Sequence, residues 1–428
     1  MSMLDEIDLT DLDRFVDGFP HEWFTYLRRE HPVWLHPGTD HGADGEPFWV
    51  VSSYEHVTEV HRSGTLFSHQ TGPGRDGAGG IALNDIEAGR GPGLQMVMTD
   101  PPQHTRYRKL VNSGFTPRMV RRLTDTLRLR TASILDRVCE RGECDFVTEV
   151  AADLPLMAIA DIIGVPQDDR DKLFDWSNRT IGGSDPEYAD DAVDPEHGDT
   201  YEGAMIEMAM YAHALADQKR SEPADDLWTR LVTAEVTMDD GTTYELTELE
   251  QDLFFTLLVV AGNETTRNAI SHGLLAFFEH PDQWQRLRED RTLLETATEE
   301  ILRWASPVNF FRRTATDDVE LGGQQIKAGE KVSLWYPSAN RDEAEFDKPF
   351  RFDVGRDPNH HVAFGAGGAH FCLGASLARL EIEIIFDELA DRMPDISPAG
   401  DPQGLRMNLI QGVKHLPVTF TPSEPVGA

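Results

Sequence analysis

Apolar positions recur with a helical period over much of the chain, and the longest such stretch follows Thr247. Thr247 and Glu250 have the spacing of a capping box, in which a hydroxyl and a carboxylate satisfy free backbone N–H groups at a helix start. The apolar pattern continues to about Glu279, and His280-Pro281 ends it. About 32 residues at 1.5 Å each give a helix of about 50 Å, so we expect this helix to cross the core of the protein.

Shorter periodic stretches predict the remaining elements. Helices are expected over most of 102–164, over 293–304, and from just after Cys372 to about Met393. Strands are expected at 47–52, 319–321, 331–335 and 416–420. The acidic stretch 181–201 is interpreted as a solvated loop. Because no repeat and no long linker divides the chain, we predict one domain over 1–428, mainly α with a minor β portion.

The charge balance excludes two classes of partner. The 428 residues include 75 acids and 39 bases, for a net charge of -36, whereas nucleic acid and anionic lipid both require clustered Lys and Arg. The longest apolar run, 253–262, is roughly half of what a bilayer span needs, and the acidic N-terminus is unlike a signal peptide. Three cysteines fit a reducing compartment. We therefore expect a cytoplasmic protein without a membrane anchor.

A glycine-rich loop around one cysteine carries the strongest chemical signal. The segment from Phe364 to Gly374 contains four glycines and Cys372, and it precedes an amphipathic helix. A thiol at a helix N-terminus lies in a positive field and faces unsatisfied N–H groups, and both favour the thiolate. Glycines such as Gly368 let the loop approach a flat partner closely. Such a thiolate can bind a soft metal centre or act as a nucleophile.

Polar residues interrupt the long helix midway. Glu264 and Thr265 lie in an otherwise apolar stretch, where an acid and a hydroxyl are costly unless they have partners or a role. Gly262, just before them, weakens the helix by about 1 kcal/mol. We expect the helix to open here beside a ligand, with a pair of proton donors within reach. The alternative is a threonine that bonds back to its own helix and a glutamate that reaches solvent.

Two further segments are weaker signals. Glu300 and Arg303 form an i, i+3 pair of a kind common on helix surfaces. His104 and Arg108, after Pro102, place two cationic donors one turn apart, which suits the carboxylates of a ligand. A solvated basic face is the ordinary alternative for the second pair.

Taken together, and in this order along most of the chain, the four segments resemble the cytochrome P450 superfamily of haem-thiolate monooxygenases. The resemblance implies the P450 fold, a helical prism with a long central helix over the haem, and heme b (iron protoporphyrin IX) as cofactor. Cys372 would be the axial thiolate on the iron. Glu264 and Thr265 would be the acid–alcohol pair that delivers protons to dioxygen.

The resemblance also assigns supporting roles. Glu300 and Arg303 would form a structural pair behind the haem, completed by either Arg351 or Arg356. The residues implied in haem binding, mostly through its propionates, are His104, Arg108, Arg313, Phe364, Gly368 and His370.

One departure from the common pattern points to a branch of the family. Phe364 lies eight residues before Cys372, where seven is usual, so the loop is one residue longer. This longer loop occurs in a bacterial branch that hydroxylates terminal methyl groups of methyl-branched lipids, isoprenoids and sterol side chains. The resemblance therefore implies terminal hydroxylation of a hydrophobic substrate. The candidate pocket residues, each also compatible with ordinary core packing, are Leu94, Met96, Val260, Ala261, Val308, Phe310 and Ile410.

The electrons must come from another protein, because the chain has no flavin or nucleotide signature and too few cysteines for an iron–sulfur cluster. We expect a ferredoxin and a ferredoxin reductase. The segment 106–130 holds eight bases and one acid, which predicts a docking site for an acidic ferredoxin. The alternatives are a peroxide-driven or dioxygen-independent haem-thiolate enzyme, a non-catalytic haem carrier and, least favoured, a cysteine hydrolase using Cys372 and His370.

Overall fold

Helices dominate the part of the chain that the computed structural model describes, which is residues 3–39, 45–70, 80–83, 93, 95–190, 200–237, 241 and 243–427. Its α-helices are α1 (His21–Glu30), α2 (Tyr54–Arg62), α3 (Gln103–Val111), α4 (Pro117–Arg121), α5 (Thr124–Asp136), α6 (Asp153–Ile163), α7 (Arg170–Ile181), α8 (Pro186–Asp190), α9 (Thr200–Ser221), α10 (Leu227–Thr233), α11 (Glu248–Glu279), α12 (Pro281–Glu289), α13 (Leu294–Ala305), α14 (Tyr336–Ala339) and α15 (Ala375–Arg392). The strands are β1 (Val33–His36), β2 (Phe48–Val51), β3 (Phe67–Ser68), β4 (Glu143–Asp145), β5 (Val236–Thr237), β6 (Thr243–Tyr244), β7 (Phe310–Ala315), β8 (Val319–Leu321), β9 (Gln324–Ile326), β10 (Lys331–Trp335), β11 (Ser397–Pro398), β12 (Gln403–Gly404), β13 (Val413–His415) and β14 (Pro417–Thr419). The predicted class, mainly α with a minor β portion, is confirmed.

The predicted long helix is α11, and its start is set by the capping box. The Thr247 hydroxyl accepts the N–H of Glu250, and the Glu250 carboxylate accepts the N–H of Thr247 at 2.9 Å. The helix runs unbroken for 32 residues and ends at His280, before Pro281. The expected opening near Gly262 is therefore wrong for this structure, since one helix-weakening residue does not outweigh the burial of most of α11.

The chain forms two compact units, and the single-domain interpretation of 1–428 stays a prediction. Unit 1 is made of Met1–Thr105, Glu299–Cys372 and Arg406–Gly412. Unit 2 is made of Arg106–Thr298, Leu373–Leu405 and Val413–Ala428.

Unit 1 is built on a five-stranded sheet in the order β1-β2-β10-β7-β3. Strand β10 pairs in parallel with β2 and antiparallel with β7, so that Val332 lies opposite both Trp49 and Arg313. All five residues of β10 are buried, as expected for a central strand. A cluster of aromatic rings, in which Trp335 packs at a tilt against Phe24 and Phe310, covers one part of this sheet. The sheet thereby fixes β7, and with it Arg313, in the interior of the unit.

Unit 2 is built around α11. Helices α6, α7, α9 and α15 pack against it, and twenty of its residues are buried. Gly262 allows the close approach of α6, because a Cβ at that position would lie 3.2 Å from the Cδ1 of Ile159. The two-stranded and three-stranded sheets of this unit are short.

The interpretation of 181–201 as a solvated loop is wrong in its first part, and residues 191–199 lie outside the described residues. Asp185 is 2 % exposed and accepts from the ammonium of Lys414 at 2.9 Å, and α8 follows it directly. His415 lies between Asp145 and Glu187, at 2.6 and 2.7 Å. The acidity of the segment is thus partly balanced by two basic residues of β13, which lie 220 or more positions away in sequence and gave no local signal.

One buried carboxyl makes the stability of unit 2 depend on pH. Glu381 of α15 is fully buried, and burial raises its pKa from 4.5 to about 8, with only Thr266 as a partly offsetting neighbour. The folded protein therefore keeps this proton up to about pH 8, while the unfolded chain releases it near its ordinary pKa. We expect the free energy of unfolding to fall between these two values as the pH rises. Glu381→Gln should remove this contribution to the pH dependence. The free energy of unfolding of the variant, measured in urea, should therefore rise relative to that of wild type from pH 5 to pH 8.

Asp391→Asn is the matched control, because this carboxylate of the same helix is 73 % exposed. Parallel stability curves for wild type and Glu381→Gln would contradict the prediction.

Candidate active site

The loop around Cys372, in unit 1, is accessible to solvent along its whole length. No residue from Phe364 to Cys372 is buried, and Cys372 itself is exposed as a thiol two residues before Gly374, the N-cap of α15. Its N–H donates to the carbonyl of Phe364 at 3.1 Å, which closes the loop. Gly365, Gly367 and Gly368 have φ of +85°, +90° and +80°, a region that strains any other residue. Any Cβ at Gly368 would also press on the carbonyl of His61, 3.1 Å away.

A polar cavity of about 340 Å³ lies beside this loop in unit 1. Two of the predicted residues, Arg313 and His370, line it together with His61 and His69. The ring of His370 stacks between those of His69, at 3.3 Å, and His104, at 3.8 Å. Burial lowers the pKa of His61 to about 3 and that of His69 well below its ordinary value, and Arg313 adds to both shifts. These two rings are therefore neutral hydrogen-bonding groups.

The buried guanidinium of Arg313 shows whether an anionic cofactor fits this cavity. Its side chain is fully buried, and it bonds to the carbonyl of Arg312 at 2.8 Å and to the hydroxyl of Tyr336. Burial lowers the pKa of the guanidinium, and among the described residues it forms no ion pair with a carboxylate. Asp100, which also lines the cavity, acts on this guanidinium only through space. A buried guanidinium without a directly paired carboxylate is costly, and a carboxylate ligand reduces that cost. A flat cofactor bearing carboxylates, bound by a thiolate at one face, fits this combination of loop and cavity.

The predicted Glu300–Arg303 pair lies on α13 and has no exposure to solvent at all. The Nε and Nη2 of Arg303 donate to the two oxygens of Glu300 at 2.7 and 2.8 Å. Arg356 completes the network, donating from Nε to Glu300 at 3.0 Å, whereas the side chain of Arg351 is 56 % exposed and faces Asp353. The alternative left open by the sequence is thus resolved in favour of Arg356.

In unit 2, the middle of α11 has a short strip of surface that is accessible to solvent, which we call the open strip. Ala261 is exposed, and Val260 and Thr265 are partly exposed, while residues on both sides of them are buried. Ala261 and Thr265 are one turn apart, so they share a face of the helix. The Thr265 hydroxyl donates to the carbonyl of Ala261 at 2.9 Å. This bond is the one expected for a threonine that bonds back to its own helix.

Glu264 does not reach solvent, so the alternative of a solvent-exposed glutamate is wrong. It is 1 % exposed, and its carboxylate accepts from Arg267 at 2.5 Å and from the hydroxyl of Ser177 at 3.2 Å. Arg267 in turn donates to the side chain of Asn178 at 2.9 Å. The acid is therefore held from its own helix and from α7. A buried acid beside a half-exposed hydroxyl is an arrangement that can hold and pass on a proton.

The other predicted residues are distributed as follows. Arg108 is half-buried on α3, one turn after His104. Val308 and Ile410 face each other in an isolated β-bridge of unit 1, and Met96 is buried. Phe310 is wholly buried against Trp335. It is therefore part of the core, and its prediction as a pocket residue is wrong. Leu94 lies outside the described residues.

Sequence reasoning missed Arg267, His69 and Ser177, which contact predicted residues, and Asn178, which contacts Arg267. Arg267 carried a signal, since a base three positions after Glu264 on one helix can pair with it. His69, Ser177 and Asn178 carried none, because they lie on other elements and meet the site only in the fold.

The basic segment 106–130 divides into paired and unpaired bases in unit 2. Arg128 pairs with Asp387 at 3.0 Å, and Arg130 pairs with Asp161 at 3.3 Å. Arg106 lies 3.6 Å above the ring of Tyr244. Three arginines are exposed and form no ion pair with any described residue: Arg118, Arg121 and Arg122. These three form what we call the arginine patch, at and just after α4.

Comparison with known proteins identifies the family. Residues 192–390 match the family Cytochrome P450. The chain is 45 % identical over 416 residues to the steroid C26-monooxygenase of Rhodococcus jostii, covering 96 % of this chain and 84 % of that protein. This chain belongs to the cytochrome P450 family. It is also 41 % identical over 429 residues to the methyl-branched lipid omega-hydroxylase of Mycobacterium bovis, covering 97 % of this chain and 95 % of that protein.

Solved structures agree with this assignment. A cytochrome P450 of Mycobacterium marinum, in complex with pseudoionone, matches with a TM-score of 0.84 and 39 % identity over 94 % of both chains. The protein is thus a P450 monooxygenase with iron protoporphyrin IX as its cofactor. Among the described residues, no helix has the length and apolar character needed to cross a membrane. The cytoplasmic location stays a prediction.

The buried Glu264–Arg267 pair should be essential to the stability of unit 2. Arg267→Leu leaves a buried carboxylate without its counter-charge, so we expect the free energy of unfolding to fall by about 3–5 kcal/mol. Adding Glu264→Gln, which removes the charge, should recover part of that loss. Urea unfolding of the single and double variants measures both effects.

Arg230→Leu serves as the control, because its partner Asp225 is 82 % exposed and an exposed pair contributes less than about 1 kcal/mol. Equal losses for Arg230→Leu and Arg267→Leu would refute the prediction.

Proposed function

We propose that this enzyme hydroxylates a terminal methyl group of a methyl-branched lipid, terpenoid or sterol side chain, with electrons from a ferredoxin and its reductase. The single observation that carries the substrate class is the identity of 41–45 % over nearly the whole chain to enzymes named for steroid and methyl-branched lipid hydroxylation. The complex of the Mycobacterium marinum enzyme with pseudoionone, a terpenoid, supports the same class.

In this proposal, most of the residues that hold the haem belong to unit 1. Cys372 supplies the thiolate, and the glycines before it let the loop lie close to a flat ring. Arg313, His370 and His104 bind the propionates, with Arg108 as a further donor from α3. Phe364 and Gly368 shape the loop. Bound haem would supply the activation of dioxygen: with two electrons from the ferredoxin system and two protons, one oxygen atom would enter a C–H bond and the other would leave as water.

The proton-handling residues belong to α11. Glu264 is an internal acid that Arg267 and Ser177 hold in place, and Thr265 is the hydroxyl of the open strip. We assign Glu264 to proton supply and the hydroxyl of Thr265 to proton transfer toward the reacting oxygen, which requires the hydroxyl to leave the carbonyl of Ala261. A peroxide-driven enzyme or a haem carrier has no use for this pair. Val260 and Ala261 present apolar surface beside the same hydroxyl.

The test is product analysis with a panel of three substrates. Purified enzyme, a ferredoxin and its reductase are given a sterol with a branched side chain, a methyl-branched fatty acid or pseudoionone. We expect a primary alcohol at a terminal methyl group of at least one. Thr265→Ala should lose product about a hundredfold while still consuming reductant, because a missing proton donor diverts electrons to peroxide.

Thr256→Ala on the same helix is the matched control, because this threonine is 4 % exposed and lies on the opposite side of the helix from Thr265. Oxidation only at internal carbons of all three compounds would refute the proposed regiochemistry. Full activity of Thr265→Ala with dioxygen would refute the assigned hydroxyl role.

We further propose that the arginine patch receives the ferredoxin. Three exposed guanidinium groups without internal ion pairs, in a protein of net charge -36, form a local positive surface for an acidic partner. The paired Arg128 and Arg130 are structural instead.

Reversing the charge of Arg121 and Arg122 to glutamate should slow reduction by ferredoxin about tenfold at low ionic strength and flatten its salt dependence. Stopped-flow reduction at several salt concentrations measures this effect. The control reverses Arg220 and Arg230, on α9 and α10, which gives the same net charge. Similar slowing in both variants would indicate a general charge effect and refute the docking site.

A further inference from the structure

The segment that leads into the cysteine loop is held by side chains of α13 and its neighbours in unit 1. The amide of Asn359 donates to Glu300 at 3.1 Å, and the ring of His361 contacts Glu299 at 3.0 Å. The N–H of Val362 donates to the side chain of Asn340 at 2.7 Å. Three of four consecutive residues are thus tied down just before Phe364. The contact between His361 and Glu299 joins two titratable side chains, and neither of them has a role in the proposed function.

The bonding of His361 fixes its tautomer. The N–H of Ala363 donates to Nδ1 at 3.2 Å, so this nitrogen carries no proton. Nε2 therefore carries the proton and donates it to the Glu299 carboxylate. The side chain is only 2 % exposed, while that of Glu299 is 25 % exposed. The imidazole is held on both sides, with one orientation available to it.

This imidazole is linked to the thiol through Phe364. The two rings lie 5.9 Å apart, and the ring of Phe364 makes an edge contact with Phe371 at 6.3 Å. The carbonyl of Phe364 accepts the N–H of Cys372. A change in the orientation of His361 would therefore move the ring of Phe364. The hydrogen bond between the Phe364 carbonyl and the N–H of Cys372 would pass that movement on to the backbone of Cys372.

We propose that Glu299 and His361 are a positioning pair that sets the orientation of Phe364 and, through it, of the thiolate on the haem iron. The inference rests on the proposed role of Cys372 as the iron ligand. The loop is one residue longer than is common, which gives it more conformational freedom, and a second support beside the Glu300 network restricts that freedom. Both are positioning residues rather than catalytic residues, because their proposed action passes through Phe364.

The test compares four variants of the holoenzyme: His361→Leu, His360→Leu, Glu299→Leu and Glu299→Gln. His360 is the matched control, since it is the adjacent histidine and also pairs with a glutamate, but its side chain is 66 % exposed. Glu299→Gln keeps an acceptor oxygen for Nε2, and Glu299→Leu does not. The readouts are the ferrous–carbonyl Soret band, the reduction potential and the rate of haem transfer to a scavenging apoglobin.

We expect His361→Leu and Glu299→Leu to lose part of the strongly red-shifted band that marks thiolate ligation, to shift the potential and to release haem about tenfold faster. His360→Leu and Glu299→Gln should remain within twofold of wild type. If His361→Leu does not fold, the comparison of Glu299→Leu with Glu299→Gln decides.

Wild-type spectra, potential and haem release in both leucine variants would overturn the inference. So would equal losses in Glu299→Gln and Glu299→Leu, because then the hydrogen bond to His361 does not matter. A wild-type protein without the red-shifted band would instead overturn the proposed role of Cys372 itself, so the two failures are distinguishable.

Discussion

The buried carboxylate of Glu300 is the interaction on which the rest of unit 1 depends. It accepts from Arg303, Arg356, Asn359 and the N–H of Asp353, with distances of 2.7–3.1 Å, and has no contact with solvent. A buried charge is tolerated only when several donors satisfy it, so the chain must bring these elements together or pay the full desolvation cost. The segment that enters the cysteine loop begins at this point, which makes the position of Cys372 a consequence of how one carboxylate is satisfied.

The sequence predicted best those features that a few neighbouring residues determine. The capping box at Thr247 and the proline after His280 are local signals, and they placed both ends of α11. The glycines of the cysteine loop require positive φ, so their pattern also carried structural information. The class of fold followed from the helical periodicity that dominates the chain.

What the sequence left open was decided by contacts between distant residues. Arg351 and Arg356 have similar local surroundings, and only the folded 353–359 segment shows which of them turns toward Glu300. Glu264 and Thr265 looked like a matched pair, yet they differ in environment, because Ser177 and Arg267 enclose the acid while the hydroxyl stays on the open strip. Phe310 is apolar, as a residue of a pocket wall would be, but it packs into the aromatic core of unit 1.

The burial of Arg313 without a direct ion pair has a consequence for the protein in the cell. A fold that buries a guanidinium without a directly paired carboxylate is less stable until a carboxylate ligand binds, and a ligand that binds only the folded state adds its binding free energy to the stability. Newly made chains that lack the cofactor would spend more time unfolded and be more exposed to proteases. The amount of folded enzyme would then rise with the supply of haem.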